Sequence, residues 1–196
     1  MFIIGASGHG KVIAEIAEEN NIVIKAFVDS DQCKDKLLGY EVIHEHPMKP
    51  VTVVVAIGNN NVRKRIVMEN PHYSYIALKH PRATFSKRSR IGNGSVMMAG
   101  ATVNVNVEIG EHCIINTNAS VDHDCIIANF VHLSPNVALA GNVTVGEGTH
   151  IGIGASVIQG ITIGANCMIG AGTVVIRDVP DGVTMIGNPG RIIDKI

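Results

Sequence analysis

The sequence predicts two regions of different fold. Residues 1–82 are expected to form a small Rossmann-like α/β domain, and residues 83–196 a left-handed parallel β-helix of hexapeptide repeats. Two observations support this division. Strand and helix patterns alternate before residue 83, which is typical of a parallel sheet with flanking helices. From Ala83 to Asp178 a six-residue repeat then runs without an insertion, and a fixed short period indicates a solenoid.

The elements of the first region follow from local patterns. Strands are expected in "MFIIG", "IVIKAFVD" and the buried "VTVVVAIG", with a closing strand in "YSYIAL". One helix is expected in "HGKVIAEIAEEN", where Val12, Ile13, Ile16 and Ala17 form one apolar stripe, and a second in "NNVRKRIVME". The junction with the second region is expected near residues 79–84.

The second region divides into sixteen units of six residues. Each unit is expected to form a short strand and a turn, so that three units close one triangular coil, giving about five coils. The third position should point inward, and all sixteen residues there are apolar: Phe85, Ile91, Met97, Val103, Ile109, Ile115, Val121, Ile127, Leu133, Leu139, Val145, Ile151, Val157, Ile163, Ile169 and Val175. First positions are small or β-branched, so Cys113, Cys125 and Cys167 are expected to pack in the wall.

Composition limits the function classes. The chain has 196 residues, 46% hydrophobic and 4% aromatic residues, and a net charge of −1, which favours neither nucleic-acid nor anionic-membrane partners. No apolar run approaches the length of a membrane span, and no secretion signal is evident, so a cytoplasmic protein is expected. The four cysteines have no CxxC spacing, which favours neither a zinc site nor a redox pair; no metal site is predicted.

A glycine-rich loop, "IIGASGHGK", follows the first strand and opens the first helix. Its spacing differs from the usual dinucleotide fingerprint, and Val12 replaces the hydroxyl residue that a Walker-type ATPase needs. Free amides at a helix start favour phosphate. Asp29 ends the second strand, where an acid commonly contacts a ribose or base. A nucleotide site is therefore expected, the alternative being a plain tight turn with a solvated Asp.

The pair His123–Asp124 interrupts the apolar repeat. His123 is the fifth residue of its unit, near the turn, so it should face a groove or solvent. A reaction that deprotonates an acceptor and develops an oxyanion needs a base and hydrogen-bond donors. An imidazole with an adjacent carboxylate suits the first task, and backbone N–H groups of the next coil could perform the second. The alternative is a solvated polar turn.

Other histidines are expected to have minor roles. His132 and His150 are 18 residues apart and should stack one coil apart, with His150 at the surface. Solvated side chains are expected at His44, His46, His72, His80 and His112.

Five segments together resemble a known family: "GASGHGKV", "AIGNNNVRKRI", "NTNASVDHDC", "HLSPNVALAGNVTVG" and "IGNPGR". They are similar to the bacterial sugar acyltransferases of the sialic-acid O-acetyltransferase and UDP-4-amino-sugar N-acetyltransferase type, over essentially the whole chain. The resemblance implies a homotrimer with active sites between subunits, acetyl-CoA in the groove between neighbouring β-helices, and a nucleotide-sugar on the glycine loop.

The resemblance also implies roles for single residues. His123 matches the family's general base and Asp124 its acid, where many members have Glu. The substrate-binding positions fall on Ser7, Gly8, His9, Asp29, Ser30, Gly58, Asn59 and Asn116. Ser30 departs from a pair that is often two acids. The acetyl-CoA positions fall on His132, Gly141, Ile153 and Ala171, with His132 beside the thioester.

The predicted function is acetyl-CoA-dependent N-acetylation of the 4-amino group of a UDP-linked amino sugar, in glycan or polysaccharide biosynthesis. O-acetylation of sialic acid or a related sugar is the alternative within this class. A non-catalytic nucleotide-sugar-binding protein is an alternative from another class. A β-helical carbonic anhydrase is disfavoured, because it needs two histidines five residues apart and no pair here has that spacing.

Overall fold

The structure, a computed structural model, describes residues 1–193 and confirms the predicted fold class. Its N-terminal region contains β1 Phe2–Ile4, α1 Gly8–Glu19, β2 Ala26–Val28, β3 Lys36–Leu37, β4 Tyr40–Ile43, β5 Thr52–Val55, α2 Asn60–Glu69 and β6 Ser74–Tyr75. The strand order is β3-β4-β2-β1-β5-β6. Only the β3–β4 pair is antiparallel. Strands β2 to β4 lie on one side of β1, and the later strands β5 and β6 lie on its other side. A topological switch point therefore lies between β1 and β5.

Three details of this region differ from the prediction. The β3–β4 hairpin was not predicted, because its turn is formed by Leu38 and Gly39, both with positive φ, instead of a typical turn pair. Val12 is 38% exposed and does not belong to the buried stripe of α1, which consists of Gly10, Ile13, Ala14, Ile16 and Ala17. The segment "YSYIAL" forms two short strands with different partners, β6 in this sheet and a second in the solenoid.

The solenoid consists of short parallel strands at six-residue intervals. They are β7 Leu78–Lys79, β8 Thr84–Phe85, β9 Arg90–Ile91, β10 Val96–Met97, β11 Thr102–Val103, β12 Glu108–Ile109, β13 Ile114–Ile115, β14 Ser120–Val121, β15 Ile126–Ile127, β16 His132–Leu133, β17 Ala138–Leu139, β18 Thr144–Val145, β19 His150–Ile151, β20 Ser156–Val157, β21 Thr162–Ile163, β22 Met168–Ile169 and β23 Val174–Val175. Strands β24 Thr184–Ile186 and β25 Arg191–Ile193 follow, and β25 pairs antiparallel with β24.

From β7 to β23, every third strand belongs to the same sheet, which gives three faces. Face 1 contains β7, β10, β13, β16, β19, β22, β24 and β25; face 2 contains β8, β11, β14, β17, β20 and β23; face 3 contains β9, β12, β15, β18 and β21. Face 1 already begins at Leu78, upstream of the repeat frame. The domain boundary between residues 82 and 83 stays a prediction, and the last residues of the predicted second domain, 194–196, lie outside the described part.

The core of the solenoid follows the predicted frame. The third-position residues are buried from Met97 onward, whereas Phe85 and Ile91 are half-buried because they belong to the first, uncovered coil. Cys113, Cys125 and Cys167 are buried in the wall as free thiols. Their burial confirms the packing role predicted for first positions.

The N-terminal domain packs on face 1. Leu78, Val96, Met98 and Ile114 project outward from this face into the cluster that contains Ile13 and other residues of α1. The corner between faces 2 and 3 lies on the opposite side of the triangular prism. Within residues 1–193, no helix combines the length and apolar character needed to cross a membrane.

Candidate active site

The glycine loop lies at the switch point of the N-terminal sheet. Its amide donors are available because the Ser7 side chain makes no capping hydrogen bond and the first turn of α1 contains no acid. A Cβ on Gly5 would lie 2.7 Å from the Ala56 carbonyl oxygen, and one on Gly10 would lie 2.2 Å from the Gly5 carbonyl oxygen. Both glycines are therefore required for the close approach of the loop to β5 and α1. The exposed Ser7 and Gly8 form the open start of the helix, which favours an anion.

A pocket of about 280 Å³ opens beside this loop. It is lined by Ile4, Gly5, Val28, Asp29, Ser30, His46, Ile57, Val62, Arg65, Ile66 and Glu69. These residues come from the carboxyl ends of β1, β2 and β5, from α2 and, for His46, from the segment after β4. The carboxyl ends of the strands are the usual ligand position in an open parallel sheet. Apolar walls with polar groups at the mouth suit a flat heterocycle such as a nucleobase.

Asp29 mainly supports the loop. One carboxylate oxygen accepts from the Ala6 N–H at 2.7 Å and from Lys34 Nζ at 3.1 Å, and the other accepts from the Asp31 N–H at 3.0 Å. These bonds outweigh the effect of partial burial and lower the pKa of Asp29. Its predicted contact with a ribose or base stays a prediction, but the carboxylate also holds the glycine loop against β2.

Gly58, Asn116 and His132 meet in one network where the N-terminal domain contacts face 1. His132 Nδ1 lies 3.2 Å from the Gly58 carbonyl oxygen, and its Nε2 lies 3.2 Å from Asn116 Nδ2. A carbonyl only accepts, so Nδ1 carries the proton and Nε2 accepts from the amide. Burial, with His150 and Arg63 nearby, lowers the pKa of His132 to about 3. His132 is thus a neutral imidazole whose tautomer is fixed.

His150 stacks on His132 as predicted, with ring centroids 4.5 Å apart. The prediction of a surface position is wrong, because His150 is half-buried and its Nε2 lies 2.8 Å from Ser134 Oγ. Two further predictions of solvated histidines are also wrong. His80 and His112 were expected in solvent but are 5% and 4% exposed. Arg63 and Tyr75 of the N-terminal domain contact His112. Burial lowers the pKa of His112 to about 4.

His9 points to the same interface. Its Nε2 is buried and makes no hydrogen bond within residues 1–193. Burial, followed by the charge of Arg63, lowers its pKa to about 4. The side chain is neutral near pH 7, and its predicted phosphate contact stays a prediction.

Arg63 fixes helix α2 on the solenoid, and the sequence analysis did not find it. It is 1% exposed and donates to five acceptors: the carbonyl oxygens of His112, Phe130, Ile57 and Gly58, and Asn60 Oδ1. Asn60 Nδ2 in turn donates to the carbonyl oxygens of Gly148 and Thr149. Arg63 stands in an ordinary helical pattern beside Lys64 and Arg65, so no local signal separates it from a solvated cation.

The His123–Asp124 pair lies at the corner between faces 2 and 3, after β14 and before β15. Asp124 takes the positive φ of 59° that the turn needs, and its Oδ2 lies 2.8 Å from His123 Nδ1. This contact raises the pKa of His123 and lowers that of Asp124. The two side chains are 48% and 45% exposed. Nδ1 is the donor to the carboxylate, so Nε2 presents a lone pair to the outside.

Gly141 lies one coil beyond His123, as predicted. A Cβ there would lie 2.5 Å from His123 Cε1 and 2.6 Å from Nε2, so only glycine leaves room for this ring position. The Gly141 N–H donates no hydrogen bond within the described residues. A base and a free backbone donor are therefore adjacent on an open corner, an arrangement that can assist acyl transfer.

Asp122 is a second acid beside His123, and the sequence analysis did not assign it a role. Its Oδ1 accepts from the His123 N–H at 2.8 Å and from Asn104 Nδ2 at 2.7 Å. Asp122 and His123 form one end of a groove of about 410 Å³. The sequence "DHD" shows an acid on each side of the histidine, so this signal for Asp122 was present in the sequence.

The predicted site residues therefore fall in separate places on one chain. Ser7, Gly8, His9, Asp29, Ser30, Gly58, Asn59, Asn116 and His132 lie in or against the N-terminal domain, whereas His123, Asp124 and Gly141 lie at the far corner. Asn59 caps α2 by accepting from the Val62 N–H at 3.0 Å. Ile153 and Ala171 are exposed at the corner between faces 1 and 2, on which Asn116 also lies. Within residues 1–193, no cluster of His, Cys, Asp and Glu has the arrangement of a metal site.

Comparison with known proteins gives matches to both regions. Residues 1–70 match the family described as PglD N-terminal domain, and residues 142–177 match the bacterial transferase hexapeptide family of six repeats. The UDP-N-acetylbacillosamine N-acetyltransferase of Bacillus subtilis is 44% identical over 109 residues. That match spans 50% of this chain and only half the length of the relative.

Solved structures match almost the whole chain. A variant of perosamine N-acetyltransferase from Caulobacter crescentus, in complex with CoA and GDP-perosamine, is 39% identical with a TM-score of 0.94, covering 99% of this chain and 96% of the other. The acetyltransferase domain of PglB from Neisseria gonorrhoeae is 39% identical with a TM-score of 0.93, covering 98% of each chain. The same domain is also known in complex with acetyl coenzyme A.

Proposed function

We propose a function from one premise: this chain belongs to the family of bacterial sugar acyltransferases in which a PglD N-terminal domain precedes hexapeptide repeats. The protein is an acetyl-CoA-dependent N-acetyltransferase that acts on an amino sugar linked to a nucleoside diphosphate. The observation that carries this proposal is the 39% identity over 99% of the chain to an N-acetyltransferase that binds CoA and GDP-perosamine. A cytoplasmic location, a role in glycan biosynthesis and a 4-amino group as acceptor stay predictions.

His123 is the general base in this proposal. Acetyl-CoA supplies the activated acetyl group as a thioester. The acceptor ammonium first loses one proton to solvent through His123 Nε2, and the neutral amine then attacks the carbonyl carbon. A second proton passes from nitrogen to Nε2 and on to the CoA sulfur as the carbon–sulfur bond breaks. The contact with Asp124 supports this role because it keeps the proton on Nδ1 and stabilises imidazolium.

Gly141 is the proposed oxyanion donor. Its free N–H lies one coil from the base, and a preorganised backbone donor needs no rearrangement when charge develops on the carbonyl oxygen. The absence of a side chain at Gly141 lets the imidazole and the thioester approach the same point.

The nucleotide part of the substrate is proposed to bind at the glycine loop, with phosphates on Ser7, Gly8 and His9. The base enters the pocket beside Asp29 and Ser30. The sequence favoured a uridine nucleotide, and the similar proteins include one acting on a UDP sugar and one that binds a GDP sugar. Both nucleotides belong in the acceptor test.

The active site is proposed to form between subunits of a homotrimer. The glycine loop lies on the face 1 side and His123 at the opposite corner, which supports a site shared between two copies. Two exposed isoleucines, Ile158 and Ile176, lie at the same corner as His123 on later coils of the solenoid. An apolar strip at this corner favours burial against a second copy. A site between copies also explains why the predicted acetyl-CoA residues His132, Gly141, Ile153 and Ala171 lie at different edges of one chain.

The activity is tested by following thiol release from acetyl-CoA with UDP- and GDP-linked 4-amino sugars and with free and CMP-linked sialic acids. We expect release with an amino-sugar nucleotide, strongly reduced in His123→Ala and unchanged in His72→Ala, which removes an exposed histidine of the N-terminal domain. Activity on sialic acids alone would replace N-acetylation with O-acetylation. Tight nucleotide-sugar binding without any transfer would favour a non-catalytic binding protein.

The shared site has its own test. Gly8→Trp should block the glycine loop without a clash in the fold, because a side chain at Gly8 points into open space. We co-express this variant with His123→Ala, each inactive alone. Random mixed trimers should regain activity at about one quarter of their sites. No recovery in trimers of verified mixed composition would contradict a site built from two chains.

A further inference from the structure

The groove beside His123 contains a carboxylate that the proposed mechanism does not use. It is lined by Thr84, Phe85, Ser86, Val103, Asn104, Val105, Asp122 and His123, and has a volume of about 410 Å³. Asp122 is the one acidic residue among these lining residues. The rest of the lining is apolar or uncharged apart from the histidine.

The two oxygens of Asp122 have different surroundings. Oδ1 is held by the His123 N–H and by Asn104 Nδ2, which fixes the carboxylate on the rim of the groove. Oδ2 makes no hydrogen bond or ion pair within residues 1–193. The bond from Asn104, followed by the bond from the His123 N–H, lowers the pKa of Asp122. The free oxygen therefore belongs to a charged group.

Asp124 differs in this respect, although it is equally close in sequence. Its Oδ2 contacts His123 Nδ1 and its Oδ1 accepts from Asn106 Nδ2 at 3.3 Å. Asp124 does not line the groove. The acid after the histidine is thus committed to orienting the ring, whereas the acid before it offers an oxygen to a ligand.

We propose that Asp122 binds the acceptor's ammonium group through Oδ2 and thereby selects an amino sugar over a hydroxyl sugar. The inference rests on the proposed function and deepens it by assigning the choice between N- and O-acetylation to one residue. A primary aliphatic amine is mostly protonated near neutral pH, and a hydrogen bond between ionised partners is stronger than a neutral one. A sugar hydroxyl at the same carbon gains less from the carboxylate. An ammonium on the rim also stands beside His123, which removes its proton.

The substitution Asp122→Asn separates charge from structure. The amide keeps an oxygen that can accept from the His123 N–H and Asn104, while an NH₂ group replaces the free oxygen. Binding is measured by calorimetry near pH 7 without acetyl-CoA. The probes are the accepted nucleotide-linked 4-amino-4,6-dideoxyhexose and its counterpart with a hydroxyl at carbon 4.

We expect Asp122→Asn to raise the dissociation constant of the amino sugar by about ten- to a hundredfold, the range of a lost charge-assisted bond. The dissociation constant of the hydroxyl sugar should change less than about threefold. Asp124→Asn, the matched control, should reduce turnover but leave the preference in binding between the two sugars unchanged.

Two results would overturn the proposal. Equal weakening of both sugars would make Asp122 a structural support of the groove, and unchanged binding of both would remove it from the site. Failure of the proposed function can be distinguished from failure of the role of Asp122, because the wild type would then transfer no acetyl group to any acceptor of the panel. The unfolding midpoint of Asp122→Asn is measured in parallel. If that midpoint drops strongly, the same binding measurements are made with Asn104→Ala, which frees the carboxylate of Asp122 but keeps its charge.

Discussion

His123 and His132 are nine residues apart in the chain, and their chemical states are opposite. His123 is half-exposed at the corner between faces 2 and 3, and Asp124 raises its pKa. His132 is 9% exposed on face 1, and burial lowers its pKa to about 3. In both rings Nδ1 carries the proton, toward a carboxylate in one and a carbonyl in the other.

The difference shows that the position on the solenoid decides what a histidine can do. A corner residue leaves the wall and stays accessible, so its free Nε2 can exchange protons with a substrate. A face residue covered by the N-terminal domain has both nitrogens bonded and stays neutral near pH 7. His132 therefore positions the Gly58 loop against the solenoid, whereas His123 is suited to chemistry.

The largest effect expected from this comparison is on turnover at the corner. His123→Ala should lower kcat by about 10²- to 10⁴-fold, the usual contribution of a positioned base. Its unfolding midpoint should hardly change, because the ring is exposed. Thiol-release kinetics and denaturant unfolding measure the two effects. A variant that keeps more than about a tenth of wild-type turnover would place the base elsewhere.

The largest effect on stability is expected at face 1. Arg63→Met should lower the free energy of unfolding by about 3 kcal/mol, because it leaves buried carbonyls without donors. Arg65→Met is the matched control on the same helix, and its exposed side chain should cost no more than about 0.5 kcal/mol. Guanidinium unfolding at fixed protein concentration gives both values. Equal effects in the two variants would show that the domain contact does not depend on Arg63.

A smaller effect tests the space beside the His123 ring. Gly141→Ala introduces a Cβ that would overlap the His123 ring, so the imidazole must move away from its present position. We expect a reduction in kcat of about ten- to a hundredfold, since small displacements of a base are costly. The unfolding midpoint should stay close to wild type. Wild-type turnover in this variant would show that the ring works from another rotamer.

The smallest effect is a difference in pH dependence. His132 has a folded pKa of about 3, below its ordinary value of 6.5, so the unfolded chain binds more protons below pH 6.5. Stability should therefore fall as the pH decreases from about 6.5 toward 3, by about 1.4 kcal/mol per pH unit from this residue. His123 has a raised pKa, so its contribution is present below pH 6.5 and is lost at higher pH.

Unfolding free energies measured at pH 7 and pH 5 test this contrast. His132→Leu should reduce the loss of stability toward pH 5, whereas His123→Ala should not. An unchanged loss in His132→Leu would mean that the other buried histidines, His9 and His112, account for the acid sensitivity.

The fold was predictable from the sequence because its signals are local and repeated. The six-residue frame placed Met97 through Val175 in the core without any tertiary information, since every coil repeats the same inward position. Residues 36–43 were not predicted to form a hairpin, because Leu38 adopts a positive φ that its residue type does not suggest. The position of His123 on an exposed corner, with Gly141 one coil beyond, also followed from the repeat.

The sequence by itself determined the two fold types, the inward residues and the spacing that places Gly141 beside His123, because each depends on distances along the chain. Only the tertiary structure decided which face the N-terminal domain covers. That docking covers His112, gives Arg63 its carbonyl partners on the solenoid and fixes His132 as a neutral ring. These states depend on contacts between residues far apart in sequence, where desolvation and hydrogen bonding, which no local pattern encodes, set the charge of each group.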